Sequence, residues 1–266
     1  MHKQNTNEDT RTGLLAKRLY SMTNEHIALL SVAILIIGFL YSSVGHAGAS
    51  GYIAIMSFFC LEPAFIKPTA LILNISVATI TTWQFYRAGH FSWKLFWPFA
   101  ILAVPLAFVG GYVNLPTHLF KTLVGIILLF SAYRFSAHPS ADTITSGPKT
   151  SVAVVTGGCF GLLAGLTGTG GGIFLTPLLL FKHWANAKQA AGISALFILL
   201  NSASGLLGNW SSTRHIPSFG FILLLSAIIG GSCGSYYGSR RFNHLVIKRM
   251  LAIVLLIAGA KLILTQ

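Results

Sequence analysis

The residues best placed to do chemistry are glycines. Leu166-Thr167-Gly168-Thr169-Gly170-Gly171-Gly172 lies between two apolar runs, Val152–Leu163 and Ile173–Phe181. Glycine resists helix by roughly 1 kcal/mol relative to alanine. Inside a bilayer, uncoiled backbone survives only where protein buries it or it lines a watery cavity. A helix starting at Gly172 exposes unpaired N–H groups at the positive end of its dipole, and glycine lets a ligand approach them, as in anion-binding nests. An earlier stretch, Gly45-His46-Ala47-Gly48-Ala49-Ser50-Gly51, offers a second such start. The dipole contributes typically 0.3–1 and up to ~2 kcal/mol per end, against nominally tens of kcal/mol to dry an isolated ion. Such a site must stay partly hydrated or recruit side-chain donors, and its binding is weak, which suits a transporter. The competing reading is that the glycines only let helices pack closely.

Donors stand near both stretches. The expected solute-binding set is His46, Gly48, Ser50, Gly51, Thr69 and Asn74 in the first half, with Thr167, Gly168, Thr169, Gly170, Gly171, Gly172, Ser194 and Asn201 in the second. Buried amides need partners, so Asn74 and Asn201 are either helix–helix glue or ligand contacts. His46 could hold an anion when protonated, relay a coupling proton, or donate as a neutral ring to a backbone carbonyl. Lys67 and Lys188 either snorkel to headgroups or form an anion funnel. Glu62, five positions before Lys67, reads as its surface partner.

Other chemistries fare poorly. Cys60, Cys159 and Cys233 lie far apart in apolar runs, read as small core residues, and no metal or cofactor site is expected. A membrane-embedded enzyme would need a nucleophile, an acid–base pair or a metal cluster, and the acidic and histidine residues are too dispersed to supply one. No Walker A sequence occurs, so ATP hydrolysis is not expected. An accessory membrane subunit without transport activity stays open, though it would leave the paired broken segments unexplained.

These loops must be positioned by membrane helices. The 266 residues are 54% hydrophobic and 9% charged, against about 25% charged in soluble domains. The chain is therefore an all-α polytopic membrane protein. Its formal net charge of +13 is spread through short loops, which points to positive-inside topology and lipid headgroups rather than to nucleic acid. Apolar segments run at about 27–45, 49–61, 65–86, 91–112 and 117–135, then at about 151–166, 170–182, 188–210, 216–238 and 244–264. The expected division is a polar tail (1–25), a first repeat (26–135), a polar linker (136–150) and a second repeat (151–266), each repeat having about four helical segments with half-helices at the glycine loops. Segments three to five of each half reach spanning length, roughly 20 residues; the first two are short or interrupted. A signal peptide at the N-terminus is rejected because the second half repeats its pattern. Gly51 and Gly172, Lys67 and Lys188, and Ala70 and Ala191 each lie 121 positions apart, and glycine pairs recur at 110–111 and 230–231. Interrupted segments at matching places in two halves point to a transporter site. Whether the halves are parallel or inverted stays open. Arg240, Arg241, Lys248 and Arg249 favour the last short connection in the cytoplasm of a cell (inner) membrane and the C-terminus outside, while the four cations of the tail argue for a cytoplasmic N-terminus and the counts elsewhere nearly balance, so the side of the N-terminus stays open.

Gly168-Thr-Gly-Gly-Gly172 followed by Pro177, then Lys188-Gln-Ala-Ala-Gly-Ile-Ser194 and Asn201, with Gly45-His-Ala-Gly-Ala-Ser-Gly51 and Lys67-Pro-Thr-Ala-Leu-Ile-Leu-Asn74 before them, resembles the sulfite exporter TauE/SafE family of bacterial permeases over roughly 27–264. The first loop is poorer in glycine than the family often is, and Ile193 stands where a threonine usually precedes the serine. The resemblance implies a secondary transporter or facilitator for sulfite, an organosulfonate, or a related sulfur-containing or carboxylate anion. Its expected partners are that small anionic solute, the lipid bilayer and, as an open option, a second copy in a homodimer.

Overall fold

Apolar stretches of bilayer length close their backbone hydrogen bonds internally by coiling. The computed structural model describes residues 24–59, 61, 63–113, 129, 132–133, 147–213 and 221–264. The helices are α1 (Asn24–Ser43), α2 (Ala49–Phe58), α3 (Pro63–Arg87), α4 (Trp93–Tyr112), α5 (Thr150–Thr167), α6 (Gly172–Phe181), α7 (Ala187–Thr213), α8 (Phe221–Tyr236), continued by a π-helical turn (Tyr237–Arg241), and α9 (His244–Leu264). No strand occurs among the described residues. Helices α1, α3, α4, α5, α7 and α8 with its π turn are long and apolar enough to cross a bilayer. The tail 1–23, most of 114–146, Cys60 and Glu62 lie outside the described residues, so the fifth segment of the first half, most of the linker and the Glu62–Lys67 pairing do too.

The leading segments resolve differently from the sequence expectation. Helices α1 and α5 run for 20 and 18 residues, long enough to span; among the described helices α2 and α6 are the short ones, at 10 residues each. Ten residues make about 15 Å, half the hydrocarbon thickness. Gly168, in the left-handed region, ends α5, and Gly171, also left-handed, starts α6.

Helix directions follow from the contacts. A Cβ added at Gly157, Gly161 or Gly165 of α5 would strike the carbonyls of Phe99, Ala103 and Ala107 of α4. Gly230, Gly234 and Gly238, across α8 and its π turn, sit in the same way on the carbonyls of Leu35, Phe39 and Ser43 of α1. The numbers rise together, so each pair is parallel. Such four-residue glycine stripes let backbones touch where lipid supplies no hydrophobic drive. Helices α3 and α7 are antiparallel, since Phe85 meets Gly192 while Asn74 meets Ser202. His26 packs edge-on against Phe59, so α2 returns to the face where α1 began. Thus α1, α3 and α8 end at one face, here face A, where α4, α5, α7 and α9 begin. Helices α1 to α4 run, taken in order, opposite to α5 to α8, and α1 packs on α8 while α5 packs on α4.

Trp83, Trp93, Trp97 and Trp210 are exposed, as an interfacial belt requires, whereas Trp184 packs against Phe99. The reading of the cysteines is corrected: Cys159 and Cys233 are exposed. Gly157 and Gly161 take the packed side of α5, and a residue two positions away lies about 200° round the helix, so Cys159 faces outward. Cys233 stands in the same relation to Gly231, which packs against Val77.

Candidate functional site

Asn74 lies midway along α3 and joins the two glycine loops. Its Oδ1 accepts the N–H of Ala49, the first residue of α2, at 3.1 Å. Its Nδ2 donates to Ser202 Oγ on α7 at 2.8 Å. A Cβ added at Gly170 would lie 2.7 Å from Asn74 Nδ2 and 2.8 Å from Ser202 Oγ, so the second loop crosses directly over this pair. A second tie runs from His46 in the first loop. Its Nε2 is 2.8 Å from Thr176 Oγ1 of α6, and Thr176 donates to Ser194 Oγ of α7 at 2.7 Å. Because the Thr176 hydrogen goes to Ser194, Nε2 supplies the one between ring and hydroxyl. The same ring lies against the backbone of Gly172, and Gly45 is pressed onto the backbone of Ala191.

The two half-helices therefore start at the level where α3 and α7 cross, α2 running back to face B and α6 to face A. Their N-termini face one another, each carrying roughly half a positive charge. They are not equivalent. Asn74 caps the first N–H of α2, whereas among the described residues no side chain accepts from the leading N–H groups of α6.

The remaining expected residues divide. Thr69, Ser194 and Asn201 are buried. The Thr69 hydroxyl and both amide atoms of Asn201 have no hydrogen-bond partner among the described residues. Thr169 is buried and pairs with Thr167 at 2.8 Å, while Thr167 also donates to the Leu163 carbonyl. Gly48 lies under the Tyr52 ring and Gly51 against Ile37 and Tyr41; Ser50 donates to Tyr41 OH at 3.2 Å. These three face α1 and the root of α2 rather than the Asn74 crossing. Lys67 lays its stem against Gly168, at the carbonyl end of α5, and Lys188 donates to the Ser239 carbonyl in the π turn at 3.3 Å. The Lys188 ammonium thus sits at a helix carbonyl end, where the dipole favours a cation.

At face A, outside the spans, His90 faces Lys188, His244 and the Ser239 backbone; burial first, then the Lys188 charge, holds its pKa below the ordinary imidazole value. A separate cavity of about 640 Å³, lined by Trp83, Tyr86, Phe91, Trp93 and Leu196 among others, lies along α3, α4 and α7 and not at the loops. Around the loops themselves His46, Ser50, Asn74, Thr169, Ser194 and Asn201 are buried.

Sequence reasoning missed Thr176 and Ser202, which complete the two ties. Ser202 had a signal: it follows Asn201 and lies eight positions from Ser194, on one face of α7. Thr176, between apolar neighbours and Pro177, reads as filler.

Among curated proteins, the chain is 40% identical over 247 residues to the "probable membrane transporter protein" y4hK of Sinorhizobium fredii, covering 91% of this chain and 100% of that one. It is 24% identical to the "probable membrane transporter protein" YjnA of Bacillus subtilis, over 86% of this chain and 96% of that protein. A Haemophilus influenzae protein of the same description is 25% identical, with 76% and 82% coverage. No solved structure matches. The family profile described as "Sulfite exporter TauE/SafE" matches residues 30–262, nearly the whole helical part of the molecule. The chain belongs to the sulfite exporter TauE/SafE family.

Proposed function

We propose that the chain is a secondary transporter or facilitator of a small anion, with sulfite, organosulfonates and related sulfur-containing or carboxylate compounds as the candidate class. The observation that carries this reading is the meeting of two half-helix N-termini at the level of Asn74. Backbone amides and neutral side chains converge there. The opposed helix directions and reciprocal packing of the halves support an inverted repeat, the architecture in which such sites lie near the midplane. The crossing is buried, so a solute reaches it only through a second conformation. Rocking one half against the other would open it to each face in turn, and the ties from Asn74 to Ser202 and from His46 to Thr176 would be remade at each swing. Lys67 and Lys188 act at the mouths.

The described cations favour one sidedness: among the described residues Arg87, Lys94, Lys149, Lys182, Lys188, Arg240, Arg241, Lys248 and Arg249 lie toward face A, against Lys67 and Lys261 toward face B. The positive-inside rule puts face A in the cytoplasm, and the start of α1 and the end of α9 on the outer side.

Purified protein in proteoliposomes tests the reading with radiolabelled sulfite. Time-dependent uptake above empty vesicles is expected, abolished by Gly172→Leu while the protein still inserts. Absence of flux for sulfite, a sulfonate and a small carboxylate alike would refute it. Conversion of the solute without vectorial movement would favour an enzyme.

A further inference from the structure

We propose, resting on the anion reading above, that in this conformation the solute docks at one half-helix end only, that of α6, with Asn201 as its side-chain ligand, while Asn74 is a structural cap closing the end of α2. The two asparagines are both buried, yet their surroundings are opposite. Asn74 is satisfied at both amide atoms, by the N–H of Ala49 and by Ser202. Asn201 is 1% exposed and neither its oxygen nor its nitrogen has a partner among the described residues. A buried primary amide left unmatched on both atoms is rare in a folded protein and calls for an explanation.

Its position supplies one. On α7, Phe197 and Ile198 lie one turn before Asn201. A Cβ added at Gly171 would come within 3.0 Å of Phe197 Cε1, and one at Gly170 within 2.8 Å of Ile198 Cγ2. Helical side chains lean toward the N-terminal turn of their own helix, so the Asn201 amide is carried toward the level of Gly170 and Gly171. That is the uncapped start of α6. An oxyanion there would take the leading N–H groups of α6 and the Asn201 Nδ2 hydrogens together. The start of α2 offers less, because the Ala49 N–H is already given to Asn74.

The test separates a ligand amide from a structural one by effects of opposite sign. Full-length protein in detergent is melted with and without sodium sulfite, and sulfite half-saturation is read from the shift in midpoint. Asn201→Leu is expected to leave the sulfite-free midpoint unchanged or raised, because it removes an orphaned buried amide. It should also weaken sulfite binding by roughly tenfold to a hundredfold, the value of a hydrogen bond to a charged group. Asn74→Leu should lower the sulfite-free midpoint.

Unchanged sulfite binding in Asn201→Leu overturns the assignment while leaving anion transport standing. An Asn201→Leu protein that melts as low as Asn74→Leu, or fails to fold, also overturns it, since an unpaired amide has no structural bond to lose. Wild-type protein that neither binds nor moves sulfite, a sulfonate or a carboxylate overturns the anion reading, and this assignment with it.

Discussion

Gly170→Ala adds one carbon at the crossing of the two loops, and its cost can be worked from the geometry. Gly170 has φ of +75°, a region that charges an L-residue roughly 1–2 kcal/mol. The new Cβ would lie 2.7 Å from Asn74 Nδ2 and 2.8 Å from both Ser202 Oγ and Ile198 Cγ2. Overpacking of this kind costs typically 1–3 kcal/mol, and displacing the Asn74–Ser202 hydrogen bond about 0.5–1.5 more. Gly89 is the matched control: its φ is +78°, and nothing lies within 4 Å of an added Cβ. Gly89→Ala carries the backbone term alone, so the two variants should differ by about 1.5–4.5 kcal/mol. That depopulates the wild-type loop geometry roughly tenfold to a thousandfold. Intrinsic tryptophan fluorescence on heating in detergent, with sulfite flux in proteoliposomes alongside, reads both consequences. Gly170→Ala should melt several degrees below Gly89→Ala and lose most flux, while Gly89→Ala transports normally. If the two behave alike in both assays, the loops do not meet at Asn74 as described and the argument for a backbone site fails.

Further expectations are narrower. Thr176→Val strips the hydroxyl from between His46 and Ser194 and should destabilise by about 1–3 kcal/mol, the cost of leaving buried polar partners unmatched; Thr176→Ser should recover most of the melting temperature. Gly161→Leu would drive a side chain into the Ala103 carbonyl, so size-exclusion profiles should show aggregate in place of a single monodisperse peak, whereas Val155→Leu, on an exposed side of α5, should elute normally. His90 is held below the ordinary imidazole pKa by burial and by Lys188, so as pH falls the unfolded chain takes up its proton first. Its contribution is complete above the unfolded value of about 6.5 and is lost as pH drops below it; His90→Gln should narrow the gap in melting temperature between about pH 7.5 and about pH 5.5. Lys188→Gln should raise the half-saturation of sulfite flux mainly at low ionic strength and leave the maximal rate intact, because a charge acting on the solute from more than about 10 Å away is screened at 0.1 M salt; an equal effect at all salt concentrations would place the ammonium on the bound solute.

Much of the architecture was legible because lipid makes composition speak. Runs such as Ile27–Leu40 have no other stable home, and the glycine clusters at 45–51 and 168–172 mark where helix must fail. What could not be read was which neighbour each element meets. Helices α1 and α5 were longer than their apolar cores suggested because polar ends, Asn24-Glu25 in one and Thr150-Ser151 in the other, coil along with them. The opposed directions of the halves were hidden because direction is set by pairings such as Phe99 with Gly157 and Leu35 with Gly230, which depend on which glycine stripe finds which carbonyl row. The cysteines went wrong for the same reason: polarity ranks a side chain, but its angular distance from Gly161 or Gly231 decides which way it faces. Asn74 and Asn201 look interchangeable in the sequence, and only their partners separate a cap from an unmatched amide.

The absence of a described cation contact at the crossing bears on rate as much as on affinity. A lysine ammonium 4 Å from a bound monoanion would contribute about 4 kcal/mol at an effective dielectric of 20, close to a thousandfold in dwell time if release carried the whole effect. On the anion reading proposed above, amide groups and half-helix dipoles contribute less each, so they would hold an anion long enough for the halves to swing without trapping it. Lys67 at Gly168 and Lys188 at Ser239 stand on the approaches, where a charge can raise the local concentration of anion without resisting its departure. On the same reading the glycines would serve this end: the lack of side chains at Gly170 and Gly171 would bring the backbone dipole itself within reach of the solute, with no ammonium needed to bridge the gap.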